Sequence, residues 1–208
     1  MATIKHHREG NVVRLRGRGI RAQLRQAMEE RVPLQIARER TVPGWVHGYA
    51  IGLSSEFCLI AEVSDTMHFD GFLVVAVGDI STVEQDPGRE FVERALQLNE
   101  EVFPELSDFR LDDWQSIAES AASIAPMIAV NMLDEENGEV SYIGRLIGAE
   151  PDALILQEID PNAHWYPDTG DYEFSAISSV GFGTQYMQLL ARLAGNPPIP
   201  EPGPGFAS

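Results

Sequence analysis

Among the side chains that could carry chemistry, two histidines, a single cysteine and a run of five arginines stand out. His68 and His164 each follow one acid, Asp65 or Asp160, and precede another, Asp70 or Asp168. Imidazole and carboxylate together suit a divalent cation. A metal centre needs three or four such groups in one place, however, and the spacing does not bring the two loops together. The expected reading is of loop residues, with no metal and no cofactor. Cys58 precedes Leu59 and Ile60, which marks a thiol packed in a core rather than a nucleophile. The sequence shows no strand-to-helix nucleophile turn, no cysteine with a histidine partner and no carboxylate pair set apart from the rest. Gly17 and Gly19 lie between arginines rather than after an apolar strand, so they do not make a phosphate-cradling loop. No catalytic residue is assigned, and the chain is expected not to be an enzyme.

Arg14, Arg16, Arg18, Arg21 and Arg25 are the strongest polar signal and the candidate binding residues. Guanidinium groups pair bidentately with phosphate or carboxylate, so the run has two destinations: nucleic acid, or acids of the protein itself or of a second subunit. The chain carries a net charge of −17. Residues 1 to 40 hold ten of the fifteen basic side chains against four acids, giving +6, so the other 168 residues carry −23. That acidic body repels phosphate at long range and is the nearest partner for the arm, which favours self-pairing.

Self-similarity indicates which elements would position these residues. A shift of 96 lays Gly48, Ile51 and Gly52 on Gly144, Ile147 and Gly148, and Cys58 to Ile60 on Leu154 to Leu156. It also lays Glu62 and Val63 on Glu158 and Ile159, and His68 and Phe69 on His164 and Trp165. With one further residue, Ile80, Ser81 and Val83 meet Ile177, Ser178 and Val180. Each copy predicts five short strands. In the first they are 34–40, 45–51, 57–63, 72–77 and 80–83; in the second, 127–133, 140–147, 153–159, 172–176 and 177–180. Glycine inside the second strand of each copy eases a bulge or tight bend. Helices are predicted ahead of each copy, on Ile20, Leu24, Ala27 and Met28 and on Trp114, Ile117, Ala118 and Ala121. Trailing helices follow, one capped by Asp86 with Phe91, Ala95, Leu98 and Val102 as its stripe. The other is capped by Thr184, carries Tyr186, Leu189, Leu190 and Leu193, and stops at Gly195.

A helix followed by five bent strands, with glycine in strand two and a short Ile-x-x-Val strand last, resembles the Sm-like branch of the small SH3-like barrels. The resemblance spans most of the chain, twice. It implies a mainly β protein with helical flanks, formed of two tandem five-stranded barrels packed as a pseudo-dimer, with Phe69 or Trp165 plugging a barrel end. The Asp and Asn pair and the Arg-Gly pair that hold RNA in the Sm family have no match in the loops 53–56 and 149–152, or at Gly78-Asp79 and Ser175-Ala176. The RNA site therefore does not carry over. The chain also looks like bacterial proteins of this general pattern, a similarity that brings no activity with it.

The expected organisation is a basic arm over residues 1–19, helix-barrel-helix units over 20–105 and 106–195, and a disordered Pro/Gly-rich tail over 196–208. With 44% apolar residues the chain can bury a core, and a single cysteine excludes a disulfide framework. The longest apolar stretch, 121–130, is interrupted by Ser123 and Pro126 and falls short of the ~20 residues a membrane span needs. A soluble cytoplasmic protein with no membrane partner is expected. The expected role is a non-catalytic interaction or scaffold module engaging another protein or a second copy of itself; RNA or DNA binding through the arginine arm is the alternative.

Overall fold

A glycine in the second strand of each half sets how closely two strands approach. A Cβ on Gly48 would overlap the carbonyl oxygen of Ala61, and one on Gly144 would overlap that of Gln157. The computed structural model describes residues 19–38, 42–134 and 138–199. The first half runs α1 (Ile20–Glu30), β1 (Leu34–Arg38), β2 (Val42–Leu53), β3 (Phe57–Val63), β4 (Phe69–Ala76), β5 (Thr82–Gln85) and α2 (Arg89–Leu98). The second runs α3 (Trp114–Ile124), β6 (Ile128–Asp134), β7 (Gly138–Ala149), β8 (Ala153–Glu158), β9 (Gly170–Glu173), β10 (Ile177–Phe182) and α4 (Gln185–Ala194). Gly48 pairs with Glu62 and Gly144 with Glu158. Beyond each, the second strand bulges, at Ala50/Gly52 and at Leu146/Gly148. The bulges add bend and twist at matching points.

All ten strands form one antiparallel sheet in the order β5-β1-β2-β3-β4-β10-β6-β7-β8-β9. The protein is mainly β, but the expected pair of closed barrels is corrected to a single open sheet. Each half keeps the same internal order, with the fifth strand beside the first. Neither half closes on itself, because the free edge of β4 is taken by β10, Phe72 to Val75 opposite Ser179 to Phe182. An unpaired strand edge exposes a row of backbone donors and acceptors, and β4 is apolar on both faces, so a partner strand covers more than backbone.

The two faces of β4 serve different cores. Leu73 and Val75 pack with Leu34, Ile36 and Ile60 in the first half, whereas Val74 packs with Ile128, Val180 and Phe182 in the second. Phe182 also stacks between Phe72 and Phe109, at 5.0 and 5.3 Å between ring centres. Fully burying side chains of this size stabilises by about 1.5–3 kcal/mol each. Beyond the joint, the face that is core in the first half continues as the floor of an open cleft.

The helices close the apolar surfaces. In α3 a reciprocal cap between Asp113 and Ser116 starts the helix, Ile117, Ala118 and Ala121 are buried, and Trp114 meets Phe57 across the halves at 4.7 Å. Thr184 caps α4 by accepting from Met187 N at 3.2 Å. Two helix expectations are corrected. Gly88, not Asp86, is the N-cap of α2, while Asp86 accepts from Gly88 N at 2.7 Å. The buried residues of α2 are Val92 and Leu96, with Phe91, Leu98 and the following Val102 exposed; in α4, Met187 and Leu190 are buried while Tyr186, Leu189 and Leu193 are exposed. The expected stripes were set a position or so off the packed face. Residues 196–199 lie in no helix or strand, and the rest of the expected tail is outside the described residues.

Candidate functional site

Of the five arginines expected to bind, Arg14, Arg16 and Arg18 lie outside the described residues. Arg21 and Arg25 sit exposed on α1 and form no ion pair among the described residues. Two other arginines of the basic N-terminal stretch do reach the acidic body. Arg31 pairs with Glu105 at 2.7 Å and covers the Phe103 ring at 4.6 Å. Arg38 is buried, and it organises the most built polar site of the molecule.

Arg38 ends β1 on the same face as Leu34 and Ile36, so the strand's alternation aims a guanidinium into the interior. It crosses the joint to the second half. Nη2 donates to Glu139 Oε1 and to the Ser178 carbonyl, both at 3.1 Å, and Nη1 donates to Ser179 Oγ at 3.4 Å. Ser178 Oγ donates to the same Glu139 oxygen, as does Ser179 Oγ at 3.2 Å, and Asn131 Nδ2 donates to Ser179 Oγ at 3.0 Å. A buried charge persists only when paired and hydrogen-bonded, and these residues from β6, β7 and β10 do both. One donor is left over: Nε of Arg38 is buried with no partner among the described residues.

These groups floor a cleft of about 420 Å³ along the β4–β10 joint. Ile36, Val46 and Leu73 of the first half and Ala129, Ile143 and Met187 of the second give it apolar walls, and half-exposed Trp45 and Tyr186 stand at its rim. Glu62 also lines it, and its carboxyl forms no hydrogen bond among the described residues. Burial, with a smaller contribution from nearby Asp70, pushes that carboxyl up to about 7. The cleft therefore combines a carboxyl without a partner among the described residues, apolar walls and two aromatic rings.

The other sequence candidates stay apart. His68 Nδ1 meets Glu101 at 2.6 Å and His164 Nδ1 meets Asp160 at 3.3 Å, each with a carboxylate of its own half. Among the described residues no three His, Cys, Asp or Glu side chains gather to hold a metal. Cys58 is fully buried, and burial pushes its thiol up to about 12. The ring nitrogens of the described histidines face carboxylates and none is hydrogen-bonded to a serine or cysteine side chain. No described helix is long and apolar enough to cross a membrane.

Sequence reasoning missed Arg38, Glu62 and Glu139. The signal was present for the first: Leu34, Ile36 and Arg38 share one strand face, and the position matching Arg38 in the second half is Met132. Compared with known proteins, the chain matches no family model, no curated protein and no solved structure.

Proposed function

We infer that the chain is a non-catalytic interaction module, built from two tandem Sm-like or SH3-like units, that engages an extended segment of another protein in the cleft at their joint. The single observation that carries this reading is the cleft itself, which has an acceptor and two aromatic groups left open. Its remaining polar groups are committed to one another rather than arranged as nucleophile and base. The repeated strand order and matching bulges support the tandem-unit reading. A selection of random peptides on the full-length protein, with the bound site located by NMR shift changes, tests it. Selected peptides are expected to move Trp45 and Tyr186 signals and to lose about tenfold or more in affinity to Trp45→Ala, as for an aromatic anchor. Peptides that map elsewhere and ignore Trp45→Ala sink the reading.

A second reading, RNA or DNA binding by the arginine arm, is favoured by the exposure of Arg21 and Arg25. It requires oligonucleotide binding that falls steeply with salt and disappears when residues 1–25 are removed.

A further inference from the structure

The cleft's unused groups specify what would fill it. Arg38 is 3% exposed and its Nε is shut away from solvent with no acceptor among the described residues, so the guanidinium offers a ligand no free donor. The guanidinium charge is not available to an anion, since Glu139 already neutralises it at 3.1 Å. Glu62 is open instead: a carboxyl in the cleft wall with no hydrogen-bond donor among the described residues, near a second acid, Asp70. With Arg38 and Glu139 cancelling, the charge that remains among the described residues in and beside the cleft is that of Asp70 and, once deprotonated, of Glu62, and the whole body of the protein is negative. Trp45 and Tyr186 present ring faces or edges at the rim, and aromatic faces attract cations. The apolar walls suit a methylene stem that carries its charge at the tip.

We propose that the cleft recognises a lysine or arginine side chain of an extended peptide, with Glu62 as counter-charge and Trp45 and Tyr186 beside the stem. This rests on the reading that the cleft engages another protein. It adds the chemical class of the anchor, and it excludes phosphopeptides and acidic peptides, which would meet Glu62 and Asp70 with like charge.

The test titrates the full chain with acetyl-Gly-Arg-Gly-amide, with the same peptide carrying neutral citrulline in place of arginine, and with agmatine, all followed by NMR at Trp45 and Tyr186. The arginine peptide is expected to bind in the cleft and the citrulline peptide about tenfold more weakly or worse, the loss of one charge-assisted hydrogen bond. Glu62→Gln is expected to bring the two peptides to equal affinity while leaving the fold intact, since it removes a carboxyl that has no partner. Asp152→Asn, an exposed acid in the β7–β8 turn, is expected to leave the ratio unchanged and so separates local recognition from general attraction to an acidic protein. Equal affinity of the two peptides for the unaltered chain overturns the basic anchor while leaving peptide binding in the cleft standing. A preference that survives Glu62→Gln overturns the role of Glu62. Agmatine occupying the cleft while neither peptide does overturns both the peptide assignment and the reading beneath it.

Discussion

A glutamate stands opposite the strand-two glycine in each half, and its surroundings differ between them. In the second half Glu158 accepts a hydrogen bond from the Tyr172 phenol at 2.5 Å, and that contact, with burial the larger cause, drives the phenol far above its ordinary range. In the first half the position matching Tyr172 is Val75, which has no hydroxyl, and Glu62 is left open to the cleft. The first strands differ in the same sense. Met132 completes an apolar strand in the second half, whereas Arg38 in the first sends a charge across the joint. One scaffold thus holds a half whose matching glutamate is hydrogen-bonded within the half, and a half whose glutamate opens on the cleft and whose buried arginine is committed to its neighbour. Buried donors without a partner among the described residues occur in both halves, at Arg38 Nε in the first and at Arg145 Nε and Trp165 Nε1 in the second, so it is the open carboxyl rather than an orphan donor that marks the first half as the place to seek binding.

The difference can be broken most severely at Arg38. Arg38→Met copies the second half's choice but strands Glu139 beside the joint, and a loss of about 3–5 kcal/mol is expected in urea unfolding, as for one partner of a buried pair. Adding Glu139→Gln should recover part of it; a loss below about 1 kcal/mol for the single change would mean that the network contributes little to the joint.

Glu62→Gln should act in the other direction. The folded carboxyl titrates near 7 against an ordinary 4.5, so between these values the native state keeps a proton that the unfolded chain has released. The stability this provides is complete below pH 4.5 and is lost as pH rises through 7; glutamine does not titrate. Melting curves from pH 5 to 8 should show the unaltered chain falling relative to the variant, by roughly 2–3 kcal/mol at the upper end. Parallel curves would remove the contrast with Glu158. The smallest effect is expected from Tyr172→Phe, which deprives Glu158 of its donor and should cost about 1–2 kcal/mol. If it stabilises instead, the phenol is not what satisfies Glu158 and the contrast between the two glutamates is lost.

Much of the fold was legible because its signals are local. The β3 bounds, Phe57–Val63, coincide with the apolar run, and glycine in strand two of each copy signalled the bulges found at Ala50/Gly52 and Leu146/Gly148, though not the close approaches to Ala61 and Gln157. The joint was not legible. Phe72 and Phe182 face one another across 110 positions, and no periodicity reports which edge a strand will choose. The site inherits that blindness. Arg38 counted with the basic stretch because its burial depends on Ser178, Ser179 and Glu139, all beyond the midpoint of the chain. Glu62 read as one of many surface acids because only the folded pairing sets Val75, opposite Cys58, where the second half has Tyr172 opposite Leu154. The helix stripes failed for a simpler reason: α2 and α4 are apolar on more than one side, and the inward side is settled by what they meet.

The same joint sets an order of events as the chain is made. At about 5–20 residues per second, roughly 5–20 s separate the emergence of β4 from that of β10. Through that interval the first half can assemble from hairpins and its own fifth strand, yet the edge from Phe72 to Val75 has nothing beside it. An apolar edge left open is a template for the wrong neighbour. Nascent chains halted between the two strands would therefore be the aggregation-prone species, and completing β10 would both silence that edge and create the cleft.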